Sequence, residues 1–164
     1  MTQICFASPF ISGFPPHAIL NQGFTDEHNT ADFAAWYPVL EDQGHTKVND
    51  DDYAKTDPDL ATCILVTRVG GPLGDPLNPL TTDNCILYLR TRKSVATDPH
   101  DYNITKELRQ NYVDESNQGT LIASIAVTPI TDTFTLYSHT LSAGEVNSIT
   151  DWPNLFFRYV VDRV

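Results

Sequence analysis

The apolar residues of this chain alternate in short runs, and proline or glycine cuts most runs before a helix of ordinary length could form. Residues 62–68 are a compact run of β-formers, Thr-Cys-Ile-Leu-Val-Thr-Arg. Residues 85–92 set Cys85, Leu87 and Leu89 on one face and Ile86, Tyr88, Arg90 and Arg92 on the other. Weaker alternation runs through Tyr102, Ile104, Leu108 and Tyr112. Residues 120–127 place Leu121, Ala123, Ile125 and Val127 together, and residues 132–138 carry Phe134 and Leu136. The last run, 154–163, points Leu155, Phe157, Tyr159 and Val161 inward and Phe156, Arg158, Val160 and Asp162 outward. Gly70-Gly71-Pro72-Leu73-Gly74 opens a long turn-rich loop over 70–83. One helix is expected, over about 143–149. Ser142 and Glu145 form a capping box, and Leu141 can staple to Val146. The pattern predicts an all-β protein, a jelly-roll-type β-sandwich with one short helix near the C-terminus.

The first 40 residues fit neither period. Phe6, Phe10, Ile11, Phe14, Ile19, Leu20 and Phe24 lie among prolines and glycines. Such a segment cannot hide its aromatics alone, so it packs either on a neighbouring subunit or on its own domain. Residues 1–33 read as an extended N-terminal arm and 34–164 as the sandwich domain. Phe6, Phe10, Ile11 and Phe14 are its candidate partner-binding residues.

Charge narrows the functional classes. The chain carries a net charge of −11, and residues 1–25 carry none. A nucleic-acid binder needs a basic footprint, which is missing here. Arg90, Arg92 and Lys93 form the one basic cluster, and Arg90 and Arg92 share a strand face as further partner-binding candidates. No run approaches ~18 apolar residues, so no membrane span is expected. The three cysteines, Cys5, Cys63 and Cys85, are widely spaced, with no C-x-x-C, which predicts free thiols made in a reducing cytoplasm. No secretory signal is read in the proline-broken N-terminus.

No nucleophile elbow, zinc motif, P-loop or Rossmann glycine pattern is present, and the five histidines are scattered. No catalytic residue and no cofactor is predicted. Asp50 and Asp52 are the residues a calcium ion would use, but the EF-hand pattern is missing and the loop reads as solvated carboxylates. Trp36 and Tyr37 are the aromatics that a sugar-binding site would draw on.

Three segments together carry a family resemblance. The first is Trp36-Tyr37-Pro38 with Asn49-Asp50-Asp51-Asp52-Tyr53. The second is Cys85-Ile86-Leu87-Tyr88-Leu89-Arg90-Thr91-Arg92-Lys93-Ser94, followed by Ile104-Thr105-Lys106-Glu107-Leu108-Arg109-Gln110. The third runs from Thr140-Leu141-Ser142 through Glu145 and Ile149-Thr150-Asp151-Trp152 to Leu155 and Arg158. It looks like the T-L-S-x-x-E/Q-x-x-x-I-T-D-Y/W-x-x-L-x-x-R ending of small sandwich proteins encoded in tailed-phage structural clusters. The chain resembles that family over about residues 34–163 and departs from it in the aromatic, charge-free first 25. The resemblance implies a galactose-binding-like jelly roll and a non-enzymatic virion component, made in the host bacterial cytoplasm. The expected role is capsid decoration or stabilisation, with the major capsid protein or neighbouring structural subunits as partners and a homo-oligomer as the assembly. The alternative is a carbohydrate-binding module of a tail fibre or baseplate. An enzyme is the third reading.

Overall fold

The computed structural model describes residues 2–5, 18–26, 54–57, 59–69, 85–93 and 98–164. Their strands are β1 (Thr2–Cys5), β2 (Ala18–Gln22), β3 (Phe24–Asp26), β4 (Ala54–Thr56) and β5 (Thr62–Arg68). They continue with β6 (Ile86–Lys93), β7 (Tyr102–Gln110), β8 (Thr120–Val127), β9 (Thr135–Thr140) and β10 (Leu155–Arg163). Helix α1 (Ala143–Ser148) and a single 3-10 turn (Trp152–Asn154) lie between β9 and β10. Two five-stranded antiparallel sheets result, ordered β3-β4-β1-β6-β9 and β2-β5-β10-β7-β8. The protein is all-β with one short helix near the C-terminus among the described residues, as the sequence predicts.

The two sheets share one core. Leu87 and Leu89 of β6 meet Leu65, Ile104, Leu108, Ile125, Leu155, Tyr159 and Val161 of the opposite sheet, all buried. β10 sits between β5 and β7, in register at Tyr159↔Leu65 and Tyr159↔Lys106. Phe156 and Arg158 point outward as expected, but a strand flanked on both sides has little open surface, and both are buried. They lie on the outer face, where Phe156 joins Val66 and Tyr112 in a second, smaller cluster.

Two expected alternations shift, each for a local reason. β8 carries a bulge: Leu108 pairs with Ala123, but Arg109 pairs with Leu121, which leaves Ile122 as the extra residue. Ile122 therefore turns into the core and Leu121 is half exposed, instead of joining Ala123, Ile125 and Val127. Tyr112 leaves the inward row of β7 because Asn111 adopts a left-handed backbone, φ 58°. Tyr112 lands on the outer face, its ring 6.0 Å from Phe156.

The helix forms where its cap is written. Glu145 N–H donates to Ser142 Oγ, and Ser142 N–H donates to Glu145 Oε2 at 2.6 Å. Leu141 and Val146 are both buried, as a hydrophobic staple requires. The buried Gln110 side chain ties the helix end to β7. Its Nε2 donates to the Ser148 carbonyl and its Oε1 accepts from Thr150 N–H.

Within the expected N-terminal arm, Thr2–Cys5, Ala18–Gln22 and Phe24–Asp26 are strands of the chain's own two sheets. Phe24 is 1% exposed in the main core. Of the two ways to cover this segment, packing on its own domain is the one these residues take.

One buried polar group is left unsatisfied. Thr91 of β6 is fully buried, and its hydroxyl has no hydrogen-bond partner among the described residues. Replacing that hydroxyl by a methyl removes a desolvation cost at constant shape. Thr91→Val is expected to stabilise the protein by about 1 kcal/mol, a rise in Tm of about 2–4 °C. A urea titration checks it, and a loss of stability would mean that the hydroxyl has a partner after all.

Candidate interaction surface

The outer faces of the two sheets are treated differently by the chain. That of the β10 sheet is covered by the chain itself around Phe156 and Arg158. The connection between β7 and β8 folds back so that Tyr112 packs on Phe156 and its hydroxyl donates to Glu115 Oε1 at 2.8 Å. Arg158 then holds that connection down. Its guanidinium donates to Glu115 at 2.9 and 2.6 Å and to Glu107 at 3.0 Å. Arg109 donates to the same Glu107 at 2.7 Å. Burial would raise the Glu107 pKa, but the hydrogen bonds from Arg109 and Arg158 outweigh it and hold the carboxyl below its usual range. The Arg158 hydrogen bonds do the same for Glu115. Every charge in this group has a partner, so the group locks a loop and offers nothing to a ligand.

The outer face of the β6–β9 pair is open. Register sets Ile86 opposite Thr140, Tyr88 opposite Ser138 and Arg90 opposite Leu136. Ile86, Tyr88 and Leu136 are 40%, 38% and 52% exposed. Arg90 and Arg92 do share this face, as expected. Their guanidinium carbons lie 4.2 and 4.4 Å from the centre of the Phe134 ring, a cation–π stack that holds two arginines beside exposed apolar side chains. Lys93 leaves the basic cluster, because its Nζ donates to the carbonyls of Asp98 and His100. Leu136 and Phe134 are the members that sequence reading did not place here. On β9 the half-buried residues are Thr135, Tyr137 and His139, and Leu136 faces outward. His139 Nε2 hydrogen-bonds with Glu145 Oε1 at 2.8 Å.

The remaining candidates do not converge. Asp98 accepts from His100 N–H and from the Tyr102 hydroxyl, which keeps its carboxyl far below the usual carboxylate range. Burial, then the bond to Asp98, pushes Tyr102 up to about 12. These contacts close a turn. His100 Nδ1 lies 2.9 Å from Asp98 Oδ1. Among the described residues no group of three His, Cys, Asp or Glu could hold a metal ion. Asp50, Asp52, Phe6, Phe10, Ile11, Phe14, Trp36 and Tyr37 lie outside the described residues.

Cys63 and Cys85 are free thiols, and burial raises the pKa of both. Neither is expected to react with an alkylating agent at pH 7 in the folded protein, and both label once the chain is denatured. Intact-mass spectrometry after alkylation without reductant checks this, and a mass short of two labels would reveal a disulfide.

Among the described residues no helix is long and apolar enough to cross a membrane. Comparison with protein-family models, curated proteins and solved structures found no match.

Proposed function

We propose that the chain is a non-enzymatic structural protein of a tailed-phage virion, made in the host cytoplasm and decorating or stabilising the capsid shell. Its partners are the major capsid protein or neighbouring structural subunits, and its mechanism is burial of surface without a reaction. The observation that carries the reading is the open face of the β6–β9 pair. Tyr88, Ile86 and Leu136 stand exposed beside two arginines stacked on Phe134. Aromatic residues and arginine are what interface cores concentrate, and a stacked guanidinium loses little side-chain freedom on docking. The T-L-S…I-T-D-W ending of the sequence supports the phage setting, and the two-sheet architecture is of the kind a galactose-binding-like jelly roll requires.

Antibody labelling of purified virions, read by cryo-electron microscopy, tests the proposal. Labelling over the whole shell supports decoration. Labelling at one vertex or along the tail rejects it, and a virion without this chain rejects the reading entirely. Tyr88→Ala is expected to weaken attachment about tenfold or more, since truncated aromatic anchors cost upward of ~1 kcal/mol. The main-chain carbonyl of Tyr88, which Lys106 uses, is untouched by that change.

A further inference from the structure

Of the four sheet edges among the described residues, three carry a device against pairing with another chain. β3 is only three residues long. β2 has a register irregularity between Ala18 and Leu20, and β8 has its bulge at Ile122. Short, kinked or bulged edges are how proteins avoid adding a foreign strand. β9 has none of these. It runs six residues, Thr-Leu-Tyr-Ser-His-Thr, in unbroken register with β6, without lysine, arginine, carboxylate or proline.

The direction of its free backbone groups follows from one bond. Leu141 N–H donates to the Cys85 carbonyl at 2.9 Å, continuing the β6–β9 register. In an antiparallel ladder, residues that bond a given neighbour alternate with residues that turn away from it. Tyr137 and His139 therefore face β6 with their main chain. Leu136, Ser138 and Thr140 direct their N–H and C=O groups away from it, and no described residue pairs with them.

Charge selects the occupant. Each copy carries −11, which opposes self-association over most of the surface. Between Glu115 and Glu145 the only charged residue is Asp132. This segment contains β8 and β9, so the one unprotected edge lies on the charge-poor stretch of the chain.

We infer that β9 is the contact through which two copies of this chain pair, antiparallel, about a two-fold axis at Ser138. Ser138 then bonds Ser138 of the second copy, and Leu136 bonds its Thr140, each pair exchanging both main-chain bonds. The β3-β4-β1-β6-β9 sheets of the two copies become one continuous sheet, and no outward group of β9 is left open. Leu136 comes beside Thr140 of the second copy, with Ile86 of that copy on the next strand. The exposed strip of Ile86, Tyr88 and Leu136 is thereby doubled across the axis, which doubles the face that the proposed function assigns to a partner. The pairing rests on that reading for its purpose only. A dimer that does not attach to virions would leave the pairing standing and remove the functional reading.

Light scattering after size exclusion and native hydrogen exchange on the full chain test the inference. The wild type is expected to run as a dimer at roughly 50 µM, the range in which a micromolar Kd is saturated. The amides of Leu136, Ser138 and Thr140 should be protected. Leu136→Lys places a charge on the edge, and Ser138→Pro removes an outward donor that the monomer does not use. Each should give a monomer with an unchanged far-ultraviolet circular dichroism spectrum. A monomeric wild type overturns the inference. So does a dimer in which these three amides exchange freely, a measurement that needs no variant to fold. A dimer that survives both substitutions, or a larger ring or filament, also overturns it.

Discussion

A chain lacking residues 2–26 is expected to lose cooperative folding. The deletion takes β1 out of the middle of its sheet, where it joins β4 to β6 through Gln3↔Lys55 and Gln3↔Arg92. β4 also loses its other described neighbour, β3. The β6–β9 pair that remains of this sheet among the described residues has too few strands to stand by itself. The opposite sheet loses β2 from the edge of β5. The apolar loss is as serious, because Phe24 is buried in the core and the single change Phe24→Ala is expected to cost about 3–5 kcal/mol. Against a total stability of roughly 5–15 kcal/mol, the truncation exceeds what the fold can lose. Thermal unfolding followed by circular dichroism should show a broad, non-cooperative trace or aggregation. A sharp transition within a few degrees of the full chain would mean that the first 26 residues are dispensable, and would restore the reading of a detachable arm.

How much of this was legible in the sequence depends on where each strand finds its stability. β5 lies at Thr62–Arg68, where a dense run of β-formers marks it, and β10 begins one residue later than its alternation suggests. The helix was legible because its cap is chemical: Ser142 and Glu145 bond each other's backbone whatever surrounds them. β1 and β3 have no such signal. They are four and three residues long, and neighbours in the sheet define them rather than their own pattern. The same distinction runs through the candidate surface. Arg90 and Arg92 could be placed together because an alternating strand puts i and i+2 on one face. The outward turn of Leu136 could not, because β9 offers an apolar residue to each face, Leu136 to one and Tyr137 to the other. The pairing Leu89↔Tyr137 decides between them, and that is a long-range fact. The bulge that moves Leu121 out and Ile122 in is likewise a property of the β7–β8 pair and not of β8 alone.

Lys106 yields the second large prediction, because the alternation through Tyr102, Ile104 and Leu108 carries a lysine into the row that faces the core. Its Nζ donates to the Tyr88 carbonyl across the core at 2.8 Å. Tyr88 lies beyond the last described pair of β1 with β6, Cys5↔Arg90, so this bond supplies a partner where the β1 ladder stops. The rings of Phe157 and Tyr159 sit 4.1 and 5.1 Å from the ammonium. They soften the burial without cancelling it, and the Lys106 pKa falls to about 7. An unfolded lysine titrates near 10.4. Between those two values the unfolded chain binds the extra proton, so stability rises with pH across that window. Below about pH 7 both states carry the charge and the full cost of burying it is present. This group alone is expected to lift stability by up to about 5 kcal/mol from pH 7 to pH 10.4. Lys106→Met keeps the apolar volume and removes the charge. At pH 6 it should be the more stable protein by about 1–4 kcal/mol, or roughly 3–10 °C in Tm. Near pH 10 that advantage should vanish or reverse, because the neutral lysine still bonds Tyr88 and methionine cannot. Tyr102, Tyr159 and the thiols titrate in both proteins, so the difference between the two pH curves isolates Lys106. Parallel curves would place its amine in water.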